Sequence, residues 1–334
     1  MLKAIFYTAN AGQIDAIYTN AHREIIRTLA ELPDEVYTKE ALLSAPEKFA
    51  DVEFIFSTWG LEALTEEEIR ACLPKVKAVF YAAGSVRFFA QPFLNCGAKV
   101  FSGWKANAVS VAEYAAAEIA LANKGFFRAA RVTSRAEHMA VREGRQAYPG
   151  NFDATVGIIS YGAVASQVAA RLKQYRLNVQ IYSWALTAPD VVRDGYKLVS
   201  LEELFETSNV ISNHLPNTDA TVDMIDYSLL SRMKPCATFI NTGRGLQVVE
   251  ADLIRVLRER PDITAVLDVT YPEPPEEGNP LYELKNCVLT PHIAGSIGNE
   301  VRRMGLYMAE EMKRLVNGEE LSCEVTEELL KTMA

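Results

Sequence analysis

Paired cysteines, clustered positive charge and long apolar runs are all scarce in this 334-residue chain. Its five cysteines (Cys72, Cys96, Cys236, Cys287, Cys323) are odd in number and widely spaced, with no Cys-x-x-Cys pair and no histidine at ligand spacing. A disulfide framework or structural metal site is thereby excluded; reduced, mostly buried thiols are expected, and no metal. Against 34 Lys and Arg stand 43 Asp and Glu, a net charge of -9. No stretch gathers positive charge as a phosphate backbone would require, so nucleic acid is not an expected partner. The opening MLKAIFYTAN breaks its short apolar run early, and nothing approaches the ~18 apolar residues of a membrane span. No membrane association and a cytoplasmic location are therefore expected. Short-period repeats and low-complexity segments are also missing.

Apolar residues are plentiful, at 49%, and a chain above ~250 to 300 residues divides its core. Two domains are expected. Short apolar runs alternate with longer amphipathic ones, which marks parallel α/β sheets. In the first third, Ala4 to Tyr7, Val52 to Phe56, Val76 to Phe80 and Lys99 to Phe101 read as strands. Helices are predicted at about 15 to 31 and 66 to 73, the latter opened by the capping box Thr65-x-x-Glu68. A second series runs through Thr155 to Ile159, Val179 to Tyr182, Val210 to Asn213, Ala237 to Asn241, Thr264 to Val269 and Val288 to Thr290. Between them an Ala-rich helix is predicted from a capping box at Ser110-x-x-Glu113 to about Phe127, followed by a polar stretch, Arg128 to Gly150.

Thr155 to Ala165 reads as strand, tight turn and helix start, where backbone N–H groups and the helix dipole suit a pyrophosphate. Of the three glycines in Gly-x-Gly-x-x-Gly only the middle one is present, as Gly162; Ser160 and Ala165 hold the outer places. An ordinary βα turn is the alternative. After the next strand, Ile181-Tyr182-Ser183-Trp184 offers no carboxylate for a ribose. The nearest downstream arginine is Arg193, so NAD and NADP are little separated.

Three later strand ends carry reactive groups, and ligands of open α/β sheets sit beyond those ends. Thr242-Gly243-Arg244-Gly245 offers a guanidinium suited to a carboxylate. Leu267-Asp268-Val269 leads into the Pro-rich Tyr271 to Pro280, too short for a linker and read as an active-site loop carrying Glu273. Leu289-Thr290-Pro291-His292 supplies an imidazole. Taken singly, each could be a surface or packing residue; together they suggest one site.

These blocks resemble the D-isomer-specific 2-hydroxyacid dehydrogenase family. They are His214-Leu-Pro-Asn-Thr-Asp-Ala-Thr221 with Ile225, Met233 to Gly245, Leu267-Asp-Val with Glu273-Pro274, and Thr290-Pro-His-Ile-Ala-Gly295. The resemblance implies that Arg244 binds the substrate carboxylate and keto oxygen, that His292 is the acid-base residue, and that Glu273 pairs with it. For the cofactor, NAD or NADP, it implies Tyr161, Gly162, Ala163, Val164, Ser183, His214, Leu215, Pro216, Thr221, Thr242, Gly243, Asp268, His292 and Gly295. It implies a flavodoxin-like substrate domain from residues 1 to 103 and 297 to 334, into which a Rossmann cofactor domain, 104 to 296, is inserted. Ala83, Gly84 and Ser85 resemble the loop whose amides receive the carboxylate. Val86 departs from the polar or acidic residue often found there, which leaves the small 2-keto or 2-hydroxy acid unspecified; Trp59 and Arg87 are further pocket candidates, Arg87 being read first as a surface charge. Gly125 to Gly150 resembles the arm through which members pair, so a homodimer is expected. Hydride addition to a keto carbon builds negative charge on oxygen, which a cationic Arg stabilises and a protonated His quenches. Two other readings are a redox-sensing protein that kept the fold and a formate or phosphite dehydrogenase.

Overall fold

Strands buried on both faces of a parallel sheet read as unbroken apolar runs, and those runs become two separate sheets in a computed structural model, which describes residues 2–184 and 194–332. The chain divides into two compact units, one comprising residues up to Asn107 together with those from Ser296 onward, the other Ala108–Gly295.

The first unit contains β1 (Leu2–Tyr7), β2 (Ala30–Glu31), β3 (Val36–Tyr37), β4 (Phe54–Ser57), β5 (Ala78–Tyr81) and β6 (Lys99–Ser102). They align in the order β2-β1-β4-β5-β6, with β3 also on β1, the order of a flavodoxin-like sheet. One face packs Phe6, Phe56, Phe80 and Phe101 against Met304, Met308 and Met312 of the helix Val301–Asn317. The tail beyond that helix lies along β6, where Ser102 N donates to Cys323 O at 3.1 Å and Val325 N to Val100 O at 2.8 Å.

Where one helix was predicted over 15 to 31, two form, Ala11–Ile17 and Asn20–Arg27, and the chain then enters β2. Tyr18 makes the break: its phenol donates towards Ser57 O (3.1 Å) and Phe80 O (3.3 Å) inside the sheet. Helix resumes from Thr19, whose N–H donates to His22 Nδ1. The box at Thr65 forms as expected, Glu68 N donating to Thr65 Oγ1 and Thr65 N to Glu68 Oε2.

Ser110 does not open its helix, which runs Trp104–Ala122 with Ser110 buried inside it. Ser-x-x-Glu recurs at the i, i+3 spacing within any helix, and here the start lies earlier, where Trp104 N donates to Ser102 Oγ. Nor does it reach Phe127. Gly125 takes a left-handed φ of 68°, and a Cβ there would fall 2.5 Å from the Tyr148 ring; a short separate helix, Phe126–Ala129, follows.

The second unit holds β7 (Phe152–Ile159), β8 (Arg176–Tyr182), β9 (Lys197–Leu198), β10 (Val210–Asn213), β11 (Thr238–Asn241), β12 (Thr264–Leu267) and β13 (Cys287–Leu289). Its all-parallel order is β13-β12-β11-β10-β7-β8-β9, so the winding reverses between β7 and β10, where such sheets bind ligands. Register places Tyr182, Ile159, Asn213, Asn241, Leu267 and Leu289 in one row across six strands. The residues that follow, Ser183, Ser160, His214, Thr242, Asp268 and Thr290, therefore all leave the same edge at the same level. Among the described residues no helix is long and apolar enough to cross a membrane.

Candidate active site

In the second unit the turn after β7 leads directly into a helix N-terminus. Ser160 adopts a left-handed φ of 80°, the conformation that favours glycine. Gly162 caps the helix Ala163–Leu172, and a Cβ added to it would meet nothing within 4 Å. Open space above a helix N-terminus is what an approaching pyrophosphate needs. Ala165 is buried at the helix–sheet contact. These residues fit a nicotinamide dinucleotide. Tyr161 points its hydroxyl to Asp194 Oδ2 at 3.1 Å, Val164 packs on the core, and Ser183 directly follows β8. Arg193 lies outside the described residues.

Across the switch point, His214 is held by both ring nitrogens, Nε2 at 2.9 Å from Ser212 Oγ and Nδ1 at 3.2 Å from Thr242 Oγ1. Burial pushes its pKa down to about 4, so at neutral pH it is an uncharged member of this edge. Thr221 is buried and turned inwards, its hydroxyl donating to Pro216 O at 2.7 Å; it shapes the loop of Leu215 and Pro216.

Arg244 sits where β11 has ended, extended at φ −143°. Gly245 beside it is compulsory, since a Cβ would overlap the Thr270 carbonyl carbon at 2.0 Å. Arg244 Nη1 donates to Gly243 O at 2.7 Å. Burial lowers its pKa and the Glu273 charge opposes that shift; the guanidinium stays cationic. Drawing a guanidinium out of water carries a cost that a bound anion would offset.

His292 and Glu273 meet at 2.7 Å between Nδ1 and Oε1, leaving Nε2 available for chemistry. The loop that carries His292 is fixed by Asp268, which is buried. Its Oδ1 accepts from Thr290 Oγ1 (2.6 Å) and Ile293 N (2.8 Å), and its Oδ2 from Ala294 N (2.8 Å). Asp268 O also accepts from His292 N at 3.0 Å. So clamped, His292 holds a left-handed φ of 54°, and Gly295 ends the unit. The carboxylate of Asp268, expected from sequence at the cofactor site, holds this loop through these three bonds.

Two contributors were missed in the sequence. Gln247 binds the backbone of Arg244, its Oε1 accepting from Arg244 N at 3.0 Å; its only sequence signal is a polar residue among apolar neighbours. Glu118, in the helix Trp104–Ala122, is buried with Oε2 unpartnered. Burial, reinforced by the Asp268 charge, pushes its carboxyl up to about 8.

Residues 119–294 match the model of the D-isomer specific 2-hydroxyacid dehydrogenase NAD binding domain. The chain belongs to that family. The match falls within its second unit, which corresponds to the NAD binding domain of the family. The chain is 35% identical over 164 residues to D-3-phosphoglycerate dehydrogenase of Archaeoglobus fulgidus, covering 49% of this chain and 31% of that protein. It is also 35% identical to glyoxylate reductase of Aeropyrum pernix, over 49% of each. The chain thus spans about a third to a half of these relatives' lengths. Among solved structures, the apo D-mandelate dehydrogenase of Rhodotorula graminis shares the fold, with a TM-score of 0.81 at 19% identity over 98% of both chains.

In the first unit, Ala83, Gly84 and Ser85 follow β5, and Trp59 follows the neighbouring β4. Ser102 Oγ lies 2.9 Å from Ala83 O and 2.6 Å from Gly84 O, bracing the loop from behind. Ser85 and Arg87 are exposed, whereas Val86 is wholly buried among Phe89 and Phe93. The departure at Val86 is thus an anchor for this loop.

Proposed function

We propose that this protein interconverts a small 2-keto acid and its D-2-hydroxy acid with NAD or NADP, and that Arg244, Glu273 and His292 carry the reaction. The 2.7 Å His292–Glu273 contact beside the desolvated Arg244 is the observation that supports this most. A bound nicotinamide supplies or accepts the hydride at C2. In the reducing direction Arg244 grips the carboxylate and stabilises charge developing on the keto oxygen, while His292 delivers the proton to that oxygen. Glu273 orients the ring through its 2.7 Å contact with Nδ1. The loop Ala83-Gly84-Ser85 is proposed as the recognition element of the first unit. Substrates named for relatives, glyoxylate and 3-phosphoglycerate among them, set the range to be tried.

The deciding experiment is a panel of 2-keto acids, including glyoxylate, hydroxypyruvate and 3-phosphohydroxypyruvate, each with NADH and with NADPH, followed by nicotinamide absorbance. Turnover of at least one is expected; binding of NADH with no turnover across the panel would favour a redox-sensing protein. A homodimer through residues 125 to 150 is also proposed. In support, Phe126 and Met139 are exposed, and a groove of about 510 Å³ is lined by Phe126, Phe127, Leu281 and Tyr282.

A further inference from the structure

Gln247 has no part in the reaction as proposed above, yet its amide is the most fully bonded side chain near Arg244. It is wholly buried, on the single turn Gly245–Gln247. Its Oε1 accepts from Asn213 Nδ2 at 2.6 Å and from Arg244 N at 3.0 Å. Its Nε2 donates to Leu215 O at 2.8 Å and to Pro216 O at 2.9 Å. A carboxamide has two donor hydrogens and two acceptor lone pairs, so these four bonds saturate it.

The network extends through two asparagines at the ends of β10 and β11. Asn213 Nδ2 also donates to Asn241 Oδ1 at 3.0 Å, and Asn213 Oδ1 accepts from Leu215 N at 3.2 Å. Asn241 Oδ1 accepts from Gly243 N at 3.0 Å, and Asn241 Nδ2 donates to Arg244 O at 3.1 Å. Both backbone polar groups of Arg244 therefore end on this buried amide cluster. So do the two carbonyls that define the loop after His214. A side chain on Gly243 has no room, because its Cβ would lie 2.7 Å from Gln247 Oε1.

Fully satisfied buried networks are rigid, because shifting one member breaks bonds that no water replaces. We propose that Gln247 is a positioning residue that ties the cofactor loop, residues 214 to 216, to Arg244, so that nicotinamide binding and carboxylate binding strengthen one another through its amide. This rests on the reading of Arg244 as the carboxylate ligand. Only a carboxamide serves here. An apolar side chain leaves Arg244 N, Leu215 O and one Asn213 Nδ2 hydrogen without the partner Gln247 gives them, and an ionised carboxylate sets its charge against the Leu215 and Pro216 oxygens.

Reciprocal coupling is measurable without turnover. Oxamate, an unreactive 2-keto acid mimic, is titrated with and without saturating NADH, and NADH with and without oxamate, by quenching of nicotinamide and protein fluorescence. Wild type is expected to bind oxamate at least tenfold tighter with NADH present. Gln247→Met, similar in length but with no donor and only a weak acceptor, should reduce that factor to threefold or less while still melting cooperatively. Gln247→Glu provides a second, pH-dependent variant. Its protonated acid can donate to a carbonyl, so its coupling, taken relative to wild type at the same pH, should return at low pH and disappear as pH rises. A lowered melting temperature with the wild-type coupling factor in both variants would reduce Gln247 to a structural role and overturn the proposal, as would the absence of coupling in wild type. Arg244→Lys separates the two readings: unchanged oxamate affinity there refutes Arg244 as the carboxylate ligand, whatever Gln247 does.

Discussion

His292 shows how much a single side chain depends on its neighbours. Glu273 holds one nitrogen and the Asp268 clamp fixes the loop backbone, so the other nitrogen is oriented before any substrate arrives. A positioned general acid contributes about 10² to 10⁴ in rate. His292→Ala should therefore lower kcat at least about 100-fold with NADH affinity little changed, measured by stopped-flow reduction of whichever keto acid the panel identifies. A kcat within threefold of wild type would remove His292 from the chemistry. Ser160 poses the opposite case, a residue in a backbone conformation that does not suit it. A non-glycine residue held left-handed costs on the order of 1 to 3 kcal/mol, while glycine loses about 0.5 to 1 kcal/mol through its greater freedom when unfolded. Ser160→Gly should accordingly stabilise the second unit by about 1 kcal/mol in urea titrations; destabilisation would show that the Ser160 hydroxyl has a compensating role.

At the scale of single elements, the helix Trp104–Ala122 carries Glu118 inwards towards the strand end that holds Asp268. Its carboxyl is raised to about 8, so between the ordinary glutamate value near 4.5 and 8 the folded state binds more protons than the unfolded one. Stability must then fall as pH rises through that window, by up to roughly 1.4 kcal/mol per pH unit. Glu118→Gln removes this slope, and the variant should gain on wild type between pH 6 and pH 9 in chemical melts. An equal difference at both pH values would show that Glu118 does not titrate there. This element was also only half legible in the sequence. Its apolar, alanine-rich character announced a helix, but Ser110-x-x-Glu113 imitates a cap, and the true start depends on Ser102 in another element. The central strands were legible because each is a continuous apolar run; β2, β3 and β9, two residues each, carry no pattern to read. Arg244, Glu273 and His292 could be proposed from the sequence because glycines and prolines mark their turns. The Gln247 cluster could not, since its partners come from chain positions about 30 residues apart and meet only through strand register.

The first unit depends on a helix that the chain reaches only after the second. Met304, Met308 and Met312 are fully buried in the first unit's core, and at roughly 2 kcal/mol each they contribute about 6 kcal/mol. That approaches the entire stability of a typical domain, about 5 to 15 kcal/mol. Ending the chain at Gly295 should therefore unfold the first unit while the second, which contains its own sheet, keeps a cooperative urea transition and NADH binding. One transition of undiminished size and no exposed first unit by limited proteolysis would contradict this.

The same discontinuity has a temporal meaning. On the ribosome, residues 2 to 107 emerge ahead of the second unit, yet the helix that covers one face of their sheet is made only after all of 108 to 295. Synthesis proceeds at about 5 to 20 residues per second, so the phenylalanine face of that sheet waits on the order of ten seconds or more for its methionines. During that interval the inserted domain can fold but the first cannot finish. Nascent chains stalled between residues 200 and 295 should be the ones that recruit chaperones, and release should follow emergence of Val301–Asn317.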